Sequence, residues 1–423
     1  MLAALVLVGF LALVVAGMPV FAAMGIGAVA GMLLIGETDA LARNLAFTIS
    51  QAFTGFVLVA VPLYILVGTL MEEAGFSRKL FDFAKSWVGG LNGGLGVATV
   101  AACALFAAIS GSSVATVATI GLVCLPALTE NGYRPAFSGA LIASGGTLGI
   151  LIPPSIAMIL YGVIAEQSIA KLFLAGLLPG LLLAALMAGY TALVVRGTRQ
   201  PRRSSLAEKR AAARDAGWVL LLPVFILASI YSGLATPTEA AALAVAYVLA
   251  LGLAGGSLSA AGIWRATAKA AATTVMIFML LGFGRAMTEF FTLSGLPDLL
   301  VGFATEYGLG KLPVTIAMVV LFLLLGMVLE ALSMMLIAVP ILFLVTQSVG
   351  IDPLAFGVFV VLAIEAAQVT PPIGINLFTI ASIGKVDIRG ISLQMLPFLG
   401  LIIALMFAVI FVEELATWLP GTM

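Results

Sequence analysis

Residues 135–155 read PAFSGALIASGGTLGILIPPS, and residues 353–374 read PLAFGVFVVLAIEAAQVTPPIG. Each stretch opens on one proline and carries a double proline at the same interval: Pro135 to Pro153-Pro154, and Pro353 to Pro371-Pro372. Each opening proline follows a glycine-containing turn, Asn131-Gly132-Tyr133-Arg134 or Gly350-Ile351-Asp352. A proline has no backbone N–H, so a pair removes two donors and frees carbonyls one turn earlier. In lipid a freed carbonyl must find another partner. A neighbouring helix or a bound cation would serve. Interruptions at corresponding places in two halves of an apolar chain point to a polar site near the bilayer midplane.

The solvent follows from composition. Of 423 residues, 63% are hydrophobic and 9% charged, with mean hydropathy +1.25. A soluble domain carries about 25% charged residues. Segments such as 217–231 and 314–329 run continuously apolar, which excludes the alternation of a membrane barrel. Zero net charge implies no nucleic-acid partner. The absence of histidine removes Ser–His catalysis and histidine metal sites. Cys103 and Cys124 lie in apolar sequence and read as inert small hydrophobes.

The chain therefore reads as an all-α integral membrane protein with about 11 transmembrane helices plus two broken, re-entrant pairs. Residues 2–35 form a retained span too long for one upright helix, with a break expected near Gly17-Met18-Pro19. A polar link with Glu37, Asp39 and Arg43 follows. Residues 72–86 alternate charges with Phe76, Leu80, Phe81 and Phe83, as an interfacial amphipathic helix does. Arg196 to Asp215 holds seven basic residues and two acids, and the positive-inside rule makes it cytoplasmic. Arg265 and Lys269 are expected near a helix start, their heads snorkelling to the interface. The expected divisions are 1–86, 87–195, a basic loop 196–216, 217–312, 313–390 and a C-terminal helix 391–423.

The polar atoms gather at the interruptions. The first half offers Ser110, Ser112, Ser113, Thr116, Ser144, Thr147 and Ser155; the second offers Glu330, Ser333, Gln368, Thr370 and Asn376. Hydroxyls, amides and freed carbonyls are hard neutral oxygens, suited to Na⁺ rather than to a transition metal. Any single hydroxyl could instead bond back to its own helix. Acids within apolar sequence are rare. Glu239, after Thr236-Pro237-Thr238, reads as a helix cap. Glu330 stands at the second interruption and is the stronger candidate to touch ion or substrate; Glu365 is the weaker. Arg285 needs an anion, either Glu289 one turn on or the carboxylate of a substrate.

Several of these residues carry a family likeness. Ala60-Val61-Pro62-Leu63-Tyr64-Ile65-Leu66-Val67-Gly68, Gly93-Gly94-Leu95 and Ile109-Ser110-Gly111-Ser112-Ser113-Val114-Ala115-Thr116 stand in the first half. Leu151-Ile152-Pro153-Pro154-Ser155, Ala235-Thr236-Pro237-Thr238-Glu239-Ala240-Ala241 and Thr370-Pro371-Pro372-Ile373-Gly374 follow in order. The chain resembles, over essentially its whole length, the large membrane subunit of tripartite ATP-independent periplasmic (TRAP) transporters. The resemblance implies an elevator-type ion transporter fold with two re-entrant hairpins in inverted repeats. It implies Na⁺ as coupling ion, a periplasmic substrate-binding protein, a separate small four-helix membrane subunit, a carboxylate substrate and the bacterial inner membrane.

Carried over by motif, the ion set falls on Ser110, Gly111, Ser112, Ser113, Gly146, Pro153, Pro154, Glu330, Thr370, Pro371 and Gly374. The substrate set is Ser110, Ser112, Ser155, Arg285 and Glu330. The chain departs from the family pattern at Glu330, where many relatives have aspartate, and at Ala363 and Ala367. Three other readings are weaker. A related carrier could work without a binding protein. A serine hydrolase at Ser110 or Ser112 lacks a histidine, an aspartyl pair or a nearby lysine. A passive anchor leaves the paired interruptions unexplained.

Overall fold

The computed structural model describes residues 2–36, 47–51, 53–91, 93–195, 204–371 and 374–423. Pro372, the first part of the basic stretch (196–203) and the polar link at Glu37, Asp39 and Arg43 lie outside the described residues. Among the described residues there are helices and turns but no strand. Among the described residues eight helices are long and apolar enough to cross a bilayer, a bent pair adds a ninth, and six apolar helices are shorter, at 10–17 residues. The expectation of about 11 spans is thus met only coarsely. A 17-residue helix is about 26 Å long, less than the hydrocarbon core.

The N-terminal segment breaks where expected. Helix α1 (Leu2–Val15) and α2 (Val20–Leu34) are separated at Gly17, φ +93°, and Pro19. Helix α3 (Ala60–Glu73) and amphipathic α4 (Phe76–Val88) follow, divided by left-handed Gly75. The amphipathic helix therefore starts later than residue 72. It buries Phe76, Leu80, Phe81 and Ala84 and leaves Glu72 and Glu73 at the end of α3.

Next come α5 (Gly94–Ser110), α6 (Ser113–Glu130), α7 (Pro135–Leu151), α8 (Ile156–Ile164) and α9 (Ile169–Val194). Helix α10 (Leu206–Tyr231) begins inside the hydrophilic stretch, because Ser205 and Glu208 form a capping box there. Helices α11 (Pro237–Ala254) and α12 (Ala260–Leu293) complete the middle of the chain. Arg265 and Lys269 sit within the first turns of α12. They do not merely snorkel: Lys269 Nζ meets Glu72 at 2.7 Å, and Arg265 pairs with Glu73.

The second half then repeats the plan of the first. Helices α13 (Leu296–Glu306), α14 (Lys311–Leu325), α15 (Ala331–Ser348), α16 (Pro353–Gln368), α17 (Ile375–Gly384) and α18 (Ile388–Phe411) have 11, 15, 18, 16, 10 and 24 residues. Their counterparts α4 to α9 have 13, 17, 18, 17, 9 and 26. Even the left-handed glycine before the first element recurs, as Gly75 and Gly295.

The halves are packed into each other. Helix α7 packs on α5 and α6 and also on α16, α17 and α18. Tyr161 of α8 donates its hydroxyl to Pro353 O at 2.6 Å. The first break, at residues 151–155, lies in the interior, whereas the second is buried at Val369 and Gly374 and exposed at Pro371.

Candidate functional site

The first hairpin breaks at Gly111-Ser112. Gly111 ends α5 in the left-handed region, where an L side chain is strained. Ser112 caps α6, accepting from Ala115 N at 3.4 Å. Thr116 donates to Ser112 O at 2.7 Å, and its Oγ1 lies 3.1 Å from Ser110 Oγ. Ser110, Ser113 and Thr116 are buried, Ser112 half-buried.

The broken helix α7–α8 bends by 44°. Its break lies directly against the hairpin tip: a Cβ on Gly111 would stand 2.7 Å from Pro154 O. Glycines let the limbs approach. A Cβ on Gly149 would stand 2.6 Å from Ser112 O, and one on Gly146 would stand 2.1 Å from Val117 Cγ2. Ser110, Gly111, Ser112, Ser113, Gly146, Pro153, Pro154 and Ser155 therefore belong to one neighbourhood.

One expectation is corrected within it. The carbonyl freed at Ile150 is not left open, because the Ser155 hydroxyl donates to it while Ser155 Oγ accepts from Met158 N at 3.2 Å. Ser144 and Thr147 bond back to their own helix, at 3.0 Å to Leu141 O and 2.6 Å to Ser144 O. They fill their hydrogen bonds locally.

The second half is built likewise. Glu330 caps α15: its Oε1 accepts from Ser333 N at 3.1 Å and Ser333 Oγ at 2.9 Å. It lines a cavity of about 160 Å³ with Gly326, Leu329, Ala367, Gln368 and Ile375. That cavity joins the hairpin break at 326–330 to the break between α16 and α17. Gly326 permits the contact, since a Cβ there would stand 2.2 Å from Ala367 Cβ. Thr370 donates to Ala366 O at 2.6 Å, Pro371 is exposed, and Gly374 N bonds Thr370 O at 3.1 Å.

Arg285 is not part of this constellation. It opens onto a separate cleft of about 390 Å³ between α12, the turn after α8 and α15, walled by Thr48, Glu166, Gly284, Thr288, Glu289, Leu336 and Pro340. The pairing with Glu289 does not form: Glu289 Oε2 accepts from Thr48 at 2.8 Å, and Arg285 has no ion pair within 4 Å among the described residues. Its guanidinium faces the cleft with donors to spare. Thr48 and Glu166 were not legible as neighbours, although Glu166 interrupts an apolar run and adopts φ +53°.

Glu239 takes the capping reading. Its Oε2 accepts from Thr236 N and Thr236 Oγ1, both at 2.8 Å. Cys103 and Cys124 are buried and unpaired.

Comparison with known proteins agrees with this architecture. The family model described as "Tripartite ATP-independent periplasmic transporter, DctM component" matches residues 7–415. The isethionate TRAP transporter permease protein DctMQ of Oleidesulfovibrio alaskensis is 36% identical, over 98% of this chain and 66% of its own length. The C4-dicarboxylate TRAP transporter large permease protein DctM of Pseudomonas aeruginosa is 34% identical, over 90% of each. Among solved structures, the Alcanivorax borkumensis YdaH transporter shares the fold, with TM-score 0.64 and 16% identity over 89% of this chain and 90% of that one. A multi-pass helical chain with these motifs, in this order and over this length, belongs to the DctM family: it is a large permease component of the TRAP transporters.

Proposed function

We propose that this subunit performs Na⁺-coupled uptake of a small organic acid across the bacterial inner membrane, by an elevator movement. A periplasmic binding protein delivers the substrate, and a small four-helix subunit completes the static part. The observation that carries this reading is the meeting of the two halves at their breaks, tied by the buried Asn376–Ser113 hydrogen bond, with hydroxyls, amides and the acids Glu330 and Glu365 around them. Hard oxygen donors without histidine suit an alkali cation.

Residues 87–195 and 313–390 form the mobile body in this reading, and 1–86 with 217–312 the scaffold; 391–423 adds the C-terminal helix. Ser110, Gly111, Ser112, Ser113, Gly146, Pro153 and Pro154 hold ion on one side. Glu330, Thr370, Pro371 and Gly374 hold it on the other. Substrate enters against Ser110, Ser112, Ser155 and Glu330, and its carboxylate meets the Arg285 fork as the body passes the scaffold. Na⁺ and substrate close the hairpins only through their greater affinity for the closed state.

The relatives named for isethionate and C4-dicarboxylates are both named for small organic anions. That supports an anionic substrate here. The deciding experiment reconstitutes the chain with both partner subunits and measures uptake of candidate acids with and without a Na⁺ gradient. Uptake that requires the binding protein and Na⁺ is the expected result. Uptake indifferent to Na⁺, with protons substituting fully, overturns the coupling.

A further inference from the structure

Glu365 lies fully buried in α16, one turn before the second break. A lone carboxylate in such a place calls for a counter-charge. Among the described residues no cationic side chain supplies one. Ser113 Oγ stands at 3.5 Å from Oε2, the long end of hydrogen bonding, and the Ile150 main chain is the other polar neighbour. Oε1 has no hydrogen-bond partner.

Asn376, fully buried in the first turn of α17, lies on the other side of Ser113. Its Nδ2 donates to Ser113 Oγ at 2.8 Å and to Ala143 O at 3.4 Å, and its Oδ1 has no partner. The Asn376 amide N–H group is spent on Ser113 and Ala143, and the one side-chain donor to the carboxylate is the long Ser113 contact to Oε2, so Oε1 and Asn376 Oδ1 stay open. What remains in a dry interior is a surplus of acceptors.

Two buried acceptor oxygens left open, one of them on a carboxylate, match a hard cation. The local dipoles sharpen the point. Ser113 and Asn376 both lie in the first turn of a helix, where partial charge is positive and repels cations. Neutral hydroxyls do not offset that field; a carboxylate set between the two helix ends does.

We propose that Glu365, with Ser113 and Asn376, anchors a Na⁺ site between the two halves of the protein, behind their breaks. The proposal rests on the Na⁺ coupling proposed above and adds the acid that makes the site attractive to a cation. Ser113 comes from the first half, Glu365 and Asn376 from the second. An ion there is held fully only when both halves are in place.

The test uses the complete transporter in proteoliposomes, with Na⁺ as the probe and choline as the control ion. Glu365→Gln removes the charge at constant shape. The half-saturating Na⁺ concentration for uptake is expected to rise about tenfold or more, with a lower Hill coefficient. Glu365→Asp keeps the charge and recovers part of the loss. Asn376→Leu removes an acceptor without stranding a charge, and its half-saturation is expected to rise as well. The Na⁺-dependent thermal shift of the purified complex, read without substrate, separates ion binding from transport. A native Na⁺ response untouched by Glu365→Gln and Asn376→Leu overturns this proposal alone. A native complex indifferent to Na⁺ overturns the coupling and this site together.

Discussion

Gly111→Ala tests the contact on which the first half of the site is built. Gly111 has φ +60° and ψ 17°, and its Cβ would stand 2.7 Å from Pro154 O. Alanine in the left-handed region costs roughly 1–2 kcal/mol wherever it stands. The carbonyl contact adds roughly 1–3 kcal/mol of overpacking, since neither a Cβ nor a main-chain oxygen can rotate aside. The expected loss is therefore roughly 2–5 kcal/mol. Gly132 supplies the control. Its φ is +85°, and a Cβ there meets nothing within 4 Å, so Gly132→Ala is expected to lose only roughly 1–2 kcal/mol. Detergent-titrated unfolding in mixed micelles, followed by circular dichroism, measures both. Uptake in proteoliposomes should fall sharply for the Gly111 variant and little for the Gly132 variant. Equal losses of stability, with uptake intact in both, would refute the claim that the hairpin tip bears on the proline break.

Three further outcomes are expected. Glu330→Ala should destabilise by about 1 kcal/mol through loss of the α15 cap, whereas Glu330→Gln keeps most of the cap and still loses uptake; a Gln variant with native uptake removes Glu330 from the site. Arg285→Lys should raise the KM for substrate and leave the Na⁺ dependence unchanged, because a point charge replaces a two-pronged donor; initial-rate uptake separates the two. Lys269→Ala should change stability by no more than about 1 kcal/mol and leave uptake alone, since its pair with Glu72 is over half exposed on the lysine side.

The bilayer makes some features readable and hides others. Spans are legible because lipid enforces long apolar runs, and the breaks because proline cannot be disguised. The division of α1 from α2 at Gly17 and Pro19 is of this kind. The repeat extends further along the chain: Pro179 in α9 and Pro397 in α18 are separated by the same interval as Pro135 and Pro353. The partners of Arg265 and Lys269 were hidden, because Glu73 and Glu72 read as part of a neighbouring amphipathic helix until Gly75 is seen to divide them. The cleft that Arg285 faces was hidden for a similar reason, since Thr48 and Glu166 lie far from it in the chain. Sequence shows which charge is anomalous but not which wall it faces. Glu365 ranked below Glu330 because it lies five residues before Thr370 rather than at an interruption, while Ser113 and Asn376 reach it only through tertiary packing.

The two proline breaks differ in how soon their needs can be met while the chain is being made. Ile150 is served by Ser155, five positions later, so that carbonyl finds its partner within a few residues of the first break. Glu365 and Asn376 look to Ser113, 252 and 263 positions earlier. By the time they are synthesised, that serine has long since entered the membrane. The order of synthesis thus matches the order of dependence, and the early half can act as the template on which the late half settles.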